Sequence, residues 1–234
     1  LNLQPIASQQ GGVTVQSKLV PWQNGALVYA KAPFVSPWRT VIVARNLAEV
    51  AASRLMLNLN EPCKIGDTSW LETGKYVGIW WGMHMNTMTW SQGNKHGATT
   101  ENTKKYIDFA AHHGMKGVLV EGWNYGWDGD WGKEGDKFSF TKPYPDYDFA
   151  GLQRYALSKG VRLVAHNETG GAAKNYEQQL DSAFALYERM GIKVVKTGYV
   201  NDWLDNAELQ HSQYGVRHYR KVIETAAKHH LMII

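Results

Sequence analysis

Five apolar runs recur at a steady interval: Tyr76-Val77-Gly78-Ile79-Trp80-Trp81, Lys116-Gly117-Val118-Leu119-Val120-Glu121, Val161-Arg162-Leu163-Val164-Ala165-His166, Lys193-Val194-Val195-Lys196 and Leu231-Met232-Ile233-Ile234. The first four are each followed by a loop and a stretch with helical spacing. Near-continuous apolar strands that alternate with helices are the pattern of a parallel sheet covered by helices. The fold class expected is α/β, a partial (β/α)8 TIM barrel of four to five strands. The runs start about 40 residues apart, so eight units would need roughly 300 residues. The chain has 234, and the pattern reads as a barrel interrupted as its fifth strand begins.

Residues 1 to 45 follow another pattern. Val13-Thr14-Val15, Ala26-Leu27-Val28-Tyr29-Ala30 and Trp38-Arg39-Thr40-Val41-Ile42-Val43-Ala44 are strand-like runs separated by Gly, Pro and Asn. They read as the last strands of a β-rich module. Residues 46 to 69 read as a linker with a helix over Leu47 to Leu57, and 70 to 234 as the N-terminal half of a barrel. Helix signals punctuate that half. Thr99-Thr100-Glu101-Asn102 predicts a cap for a helix with Tyr106, Phe109 and Ala110 inward, stopped by Gly114. Asp148 opens the next, with Leu152, Tyr155 and Ala156 inward. Asn175 to Met190 carries Leu180, Phe184 and Tyr187 before Gly191, and a fourth runs from Ser212 or Gln213 to His229.

The net charge of +4 has no basic run, which argues against nucleic-acid binding. The single cysteine, Cys63, excludes an internal disulfide framework. No apolar run reaches transmembrane length, and no signal peptide opens the chain. Ten tryptophans and twelve tyrosines suit sugar stacking as well as core filling.

Barrels of this kind work at the C-terminal ends of their strands. There the chain places Trp80 to His84, Glu121 to Trp127, His166-Asn167-Glu168-Thr169-Gly170-Gly171 and Lys196 to Asp202. Two carboxylates, an imidazole, an ammonium and several indoles thus share one rim. Glycosidic cleavage needs paired carboxylates, and apolar neighbours raise the pKa of one partner. Glu121 also admits a purely structural role, holding a neighbouring loop. Lys196, inside an apolar strand, needs a carboxylate or a ligand oxygen. His112-His113 and His229-His230 read as helix C-terminal partners, and Asp128-Gly129-Asp130 as a surface loop.

Taken in order, Pro37-Trp38-Arg39-Thr40, Tyr76 to Trp81, Val120-Glu121-Gly122-Trp123-Asn124, His166-Asn167-Glu168-Thr169 and Val195-Lys196-Thr197-Gly198-Tyr199-Val200 resemble glycoside hydrolase family 97. That resemblance implies bacterial calcium-dependent α-glucosidases and α-galactosidases, periplasmic or extracellular, with a β-sandwich ahead of the barrel. Retaining members place an aspartate nucleophile at the end of the fourth strand, where this chain has Gly198. Inverting members use a glutamate base that Glu168 matches. The resemblance therefore implies an inverting α-glucosidase acting on oligosaccharides. Glu168 is the base, and Glu121, Trp123, His166 and Lys196 line the sugar site. The calcium ligands and the general acid fall mostly outside this chain, and no metal ligand is assigned within it. Three rivals stand beside this reading: a non-catalytic carbohydrate-binding protein, a retaining α-galactosidase-type enzyme, and a retaining glycosidase with Asp202 as nucleophile. Two open barrel edges favour self-association. The segment by itself is expected to be inactive, because loss of the acid alone costs about 10²–10⁴ in rate. Glu168-dependent turnover of an α-glucoside by the 234-residue chain would count against that expectation.

Overall fold

The computed structural model describes residues 2–7 and 13–234, and side chains from residue 14 onward. The chain forms two compact units, one made of the residues up to Val28 with Ser69–Ile234, the other of Tyr29–Thr68. In the first, β1 (Asn2–Ala7) and β2 (Val13–Lys18) form an antiparallel hairpin, Asn2 opposite Lys18 and Ala7 opposite Val13. The second holds two short helices, α1 (Leu47–Ala52) and α2 (Leu55–Leu59), and neither buries a residue.

The rest of the first unit alternates strand and helix. In chain order these are β3 (Tyr76–Ile79), α3 (Trp81–His84), α4 (Thr100–His112), β4 (Gly117–Val120), α5 (Phe149–Ser158), β5 (Arg162–Glu168), α6 (Ala173–Met190), β6 (Val194–Gly198), a small hairpin of β7 (Trp203–Leu204) and β8 (Glu208–Leu209), α7 (Gln213–Lys228) and β9 (Met232–Ile233). The sheet order is β3-β4-β5-β6-β9, every pair parallel. This is the open, partial (β/α)8 arrangement expected, with β3 and β9 at its edges.

Strand side chains alternate between two faces. Ile79, Val118, Val120, Leu163, Ala165 and Val195 turn toward the helices and join Ile107, Leu152, Leu180, Phe184, Val222 and Ala226 in one buried cluster. The other face carries the alternate residues. Its levels follow from the register: Tyr76, Gly117 and Arg162, then Gly78, Leu119 and Val164. His166 pairs with Lys196, and Glu168 with Gly198. Two residues beyond Leu119 and Val164, Glu121 and His166 therefore stand on one level with Lys196, and Glu168 one level higher.

The helix starts follow the sequence signals. Thr99 accepts a hydrogen bond from Asn102 N at 3.2 Å and Asp148 from Gly151 N at 2.9 Å. Gly191 ends α6 at φ 74°, in the left-handed region that costs glycine least. Several expectations need correction. Residues 26–30 and 38–44 form no strand, since no neighbouring strand pairs with them among the described residues. The helix expected over Leu47 to Leu57 is broken at Ser53-Arg54 into α1 and α2. The first barrel strand stops at Ile79, because Trp80 leaves the extended region to cap α3. On α4 the inward face is Thr103, Ile107 and Ala110, and Phe109 is 48% exposed.

Phe184 is fully buried. Phe184→Ala should cost about 3–5 kcal/mol through the cavity it opens, whereas removing the α5 cap in Asp148→Ala should cost about 1 kcal/mol. Urea unfolding of the two variants measures the contrast.

Candidate active site

At the upper levels of this face Glu121, His166 and Lys196 meet. Glu121 is 8% exposed. Its Oε1 accepts from Lys196 Nζ at 3.0 Å and its Oε2 from the Trp90 indole N–H at 2.9 Å. Burial alone pushes this carboxyl up. The neighbouring His166, the Trp90 N–H and the Lys196 ammonium outweigh it, and the net direction is down. Glu121 is thus an ionised carboxylate with two protein donors.

His166 is 1% exposed. Burial lowers its value to about 4, so the ring is neutral at pH 7. It stacks on Trp127 at 5.9 Å and 24°. Neither ring nitrogen has a hydrogen-bond partner; Nε2 stands 3.6 Å from Glu121 Oε1, beyond hydrogen-bond reach. A buried polar group left without a partner costs about 1–3 kcal/mol. The unpartnered ring nitrogens lie on the level shared by Glu121 and Lys196.

Glu168 ends β5 and is 7% exposed. Its Oε1 accepts three backbone N–H groups: Thr169 at 3.1 Å, Gly170 at 2.8 Å and Val200 at 3.2 Å. Burial raises its value, and the nearby Glu121 charge adds to the rise, against the lowering by those N–H donors. Oε2 lies over Gly198, where a Cβ would overlap it. The two carboxyls are therefore shifted in opposite directions: Glu121 is held charged by its neighbours, and Glu168 is raised, chiefly by burial.

Trp123 is placed differently from the expectation. It is 1% exposed, with its ring against Phe149 at 4.5 Å and Tyr147 at 6.0 Å. Its Nε1 donates to His166 O at 2.8 Å. It packs in the helix-facing core and holds the backbone of His166; its ring does not face the cavity side. Asp202 is exposed at the base of the β7–β8 hairpin, where its backbone carbonyl accepts Gln210 N. Asp128 and Asp130 are exposed as expected. They accept from Tyr144 Oη at 2.6 Å and Lys133 Nζ at 2.8 Å. Trp127, placed on the rim by its position after β4, stacks on His166; Trp90, which donates to Glu121, was missed, because it reaches the site through the loop between α3 and α4 and nothing in local spacing singles it out. Among the described residues no group of three or more His, Cys, Asp or Glu could hold a metal ion, so the calcium expectation finds no ligand set here.

Two buried carboxyls and a neutral imidazole stacked on an indole thus stand at the C-terminal rim of parallel strands, where barrels of this kind carry their active sites. Comparison with known proteins names the family. The chain matches the family profile "Glycoside hydrolase 97" over residues 80–234 and "Glycosyl-hydrolase 97 N-terminal" over 7–62; it belongs to glycoside hydrolase family 97. A family 97 enzyme from a Pseudoalteromonas species, solved in complex with acarbose, superposes with a TM-score of 0.91 at 48% identity, covering 99% of this chain and 36% of that one. A variant of the same enzyme in complex with panose matches equally well. Among curated proteins, the retaining alpha-galactosidase of Bacteroides thetaiotaomicron is 25% identical over 98% of this chain and 31% of its own length. The probable retaining alpha-galactosidase of Streptomyces bingchenggensis is 29% identical over 85% and 27%. The chain thus spans about a third of the length of its relatives.

The depressed value of His166 has a consequence for stability. The unfolded chain binds the proton more tightly between pH 6.5 and about 4. The stabilisation is therefore complete above 6.5 and is lost as pH falls through that window, at up to about 1.4 kcal/mol per pH unit for one proton. Urea unfolding from pH 7 to 4 should show a steeper loss for the natural chain than for His166→Gln.

Proposed function

We propose that these residues belong to an inverting α-glucosidase acting on α-linked gluco-oligosaccharides. The observation that carries this reading is the crowding of Glu168 and Gly198. Glu168 Oε2 occupies the room that a side chain at 198 would need. A strand-end nucleophile on β6 and the Glu168 carboxylate in this pose therefore exclude one another. With glycine on β6, the carboxylate available at the rim is the one on β5, fixed by three backbone donors through Oε1 and with Oε2 left to accept. In an inverting enzyme such a carboxylate removes the proton of a water that attacks the face opposite the leaving group. Burial raises its value, which makes the carboxylate a stronger base.

Glu121 accepts sugar hydroxyl protons, and Lys196 and His166 complete the hydrogen bonds that fix the ring. The family 97 enzyme solved with acarbose and with panose supports an oligosaccharide ligand for this rim. The division proposed is the end of a β-sandwich at 1–45, a linker at 46–69 and the barrel half at 70–234. Calcium enters the proposal only as an ion whose ligands lie chiefly outside this chain, and no step runs through it. A periplasmic or extracellular location is part of the proposal; among the described residues no helix is long and apolar enough to cross a membrane.

A second reading, a retaining α-galactosidase, is favoured by the names of the curated relatives. Proton NMR of an α-glucoside decides between them in a polypeptide of the relatives' full length carrying this segment. Inversion releases β-glucose first, and Glu168→Gln lowers the rate by about 10²–10⁴. First release of the α-anomer, or an α-galactoside cleaved in preference, would establish the second reading.

A further inference from the structure

The loop between α3 and α4 presents two groups to the turn that carries Glu121. It is closed on itself by Thr89 N to Lys95 O at 2.9 Å and Gly97 N to Thr89 O at 3.0 Å, so Trp90 and His96 stand side by side at its base. Trp90 supplies the indole N–H that reaches Glu121 Oε2. His96, with its side chain fully buried, places Nε2 2.9 Å from the carbonyl oxygen of Gly122, the next residue. On its other side Nδ1 lies 2.7 Å from Asp146 Oδ2. The Asp146 backbone carbonyl in turn accepts both the N–H and the hydroxyl of Thr100 at 2.8 Å. The Tyr144 ring meets the imidazole edge-on at 5.4 Å.

Gly122 has φ +83°, and a Cβ there would press on Trp90 O at 2.8 Å. The peptide after Glu121 is therefore turned into a conformation that few residues adopt, with its carbonyl directed at His96. One rigid, buried ring thus bridges the Asp146 carboxylate and the Gly122 carbonyl and leaves the turn little freedom.

We propose that His96 is a positioning residue for Glu121. Anchored on Asp146, it clamps the Gly122 carbonyl, and the clamped turn keeps the Glu121 carboxylate between Trp90 and Lys196, where it binds sugar hydroxyls. The sugar-binding part rests on the glycosidase reading; the clamp itself does not.

Two substitutions separate the two bonds of the ring. His96→Asn puts an amide N–H where Nδ1 stood and keeps the Asp146 bond only. His96→Gln extends an amide N–H to the position of Nε2 and keeps the Gly122 bond. In the ¹⁵N-labelled 234-residue chain, the Trp90 indole N–H, assigned with Trp90→Phe, reports its bond to Glu121. In His96→Asn it should exchange at least about tenfold faster and panose affinity should fall about 10–100-fold, while His96→Gln stays within about threefold of the natural chain on both counts. Unchanged indole exchange and affinity in His96→Asn would overturn the proposal. So would equal losses in the two variants that merely follow their unfolding midpoints. Should the natural chain bind no panose, the glycosidase reading is in question, and the indole exchange still decides the clamp. Should His96→Asn fail to fold, Asp146→Asn, which weakens the anchor while leaving the ring in place, takes over with the same two expected losses and the same overturning result.

Discussion

A buried carboxylate beneath a layer of indoles is costly unless something holds its charge. Glu121 is that carboxylate, and the upper levels of the sheet are organised around it. Lys196, directly beside His166 in the register, supplies the cation; Trp90 supplies a neutral donor from a loop. This pair explains two other features. An ammonium emerging from an apolar strand is tolerable because Glu121 receives it. Glu168, one level higher, is pushed up by its burial and, in smaller part, by the charge of Glu121. Removing Glu121 would thus disturb both His166 and Glu168.

The parallel register makes the assembly possible. Strand side chains repeat every second residue, and adjacent parallel strands carry that repeat across the sheet. One alignment, His166 with Lys196, therefore places four polar groups on two neighbouring levels while the alternate residues fill the helix-facing core. A slip of one residue in β5 would send His166 and Glu168 into that core and bring Ala165 and Asn167 to the cavity. The apolar packing of Leu163 and Ala165 opposes the slip, so core and site are specified by the same contacts.

This coupling also explains what could be read from the chain alone. The five barrel strands, four main helices and their caps announce themselves through local periodicity and capping residues, and Glu121, His166, Glu168 and Lys196 stand out as polar residues at the ends of apolar runs. The 26–30 and 38–44 runs misled because β-propensity reports a side chain's fit to a sheet and says nothing of whether a partner strand exists. Trp123 misled for a related reason. Beyond the end of β4 the alternation no longer holds: the left-handed Gly122 redirects the chain and sends the next side chain to the core. Trp90 and His96 were invisible because their contacts to the rim cross 31 and 26 residues of sequence, and no short-range pattern encodes such a meeting.

The relation between Glu168 and Gly198 carries the argument furthest. Retention needs a nucleophile close to the sugar, and inversion needs a base set back far enough to leave room for water. On this sheet the two solutions compete for one volume, since residues 168 and 198 are partners in the β5–β6 ladder. A side chain at 198 would overlap Glu168 Oε2, so the carboxylate would have to leave its present pose. A change at 198 is therefore felt at 168. That physical coupling is how the inverting mechanism proposed for a chain with glycine on β6 is compatible with a fold shared with relatives named as retaining enzymes.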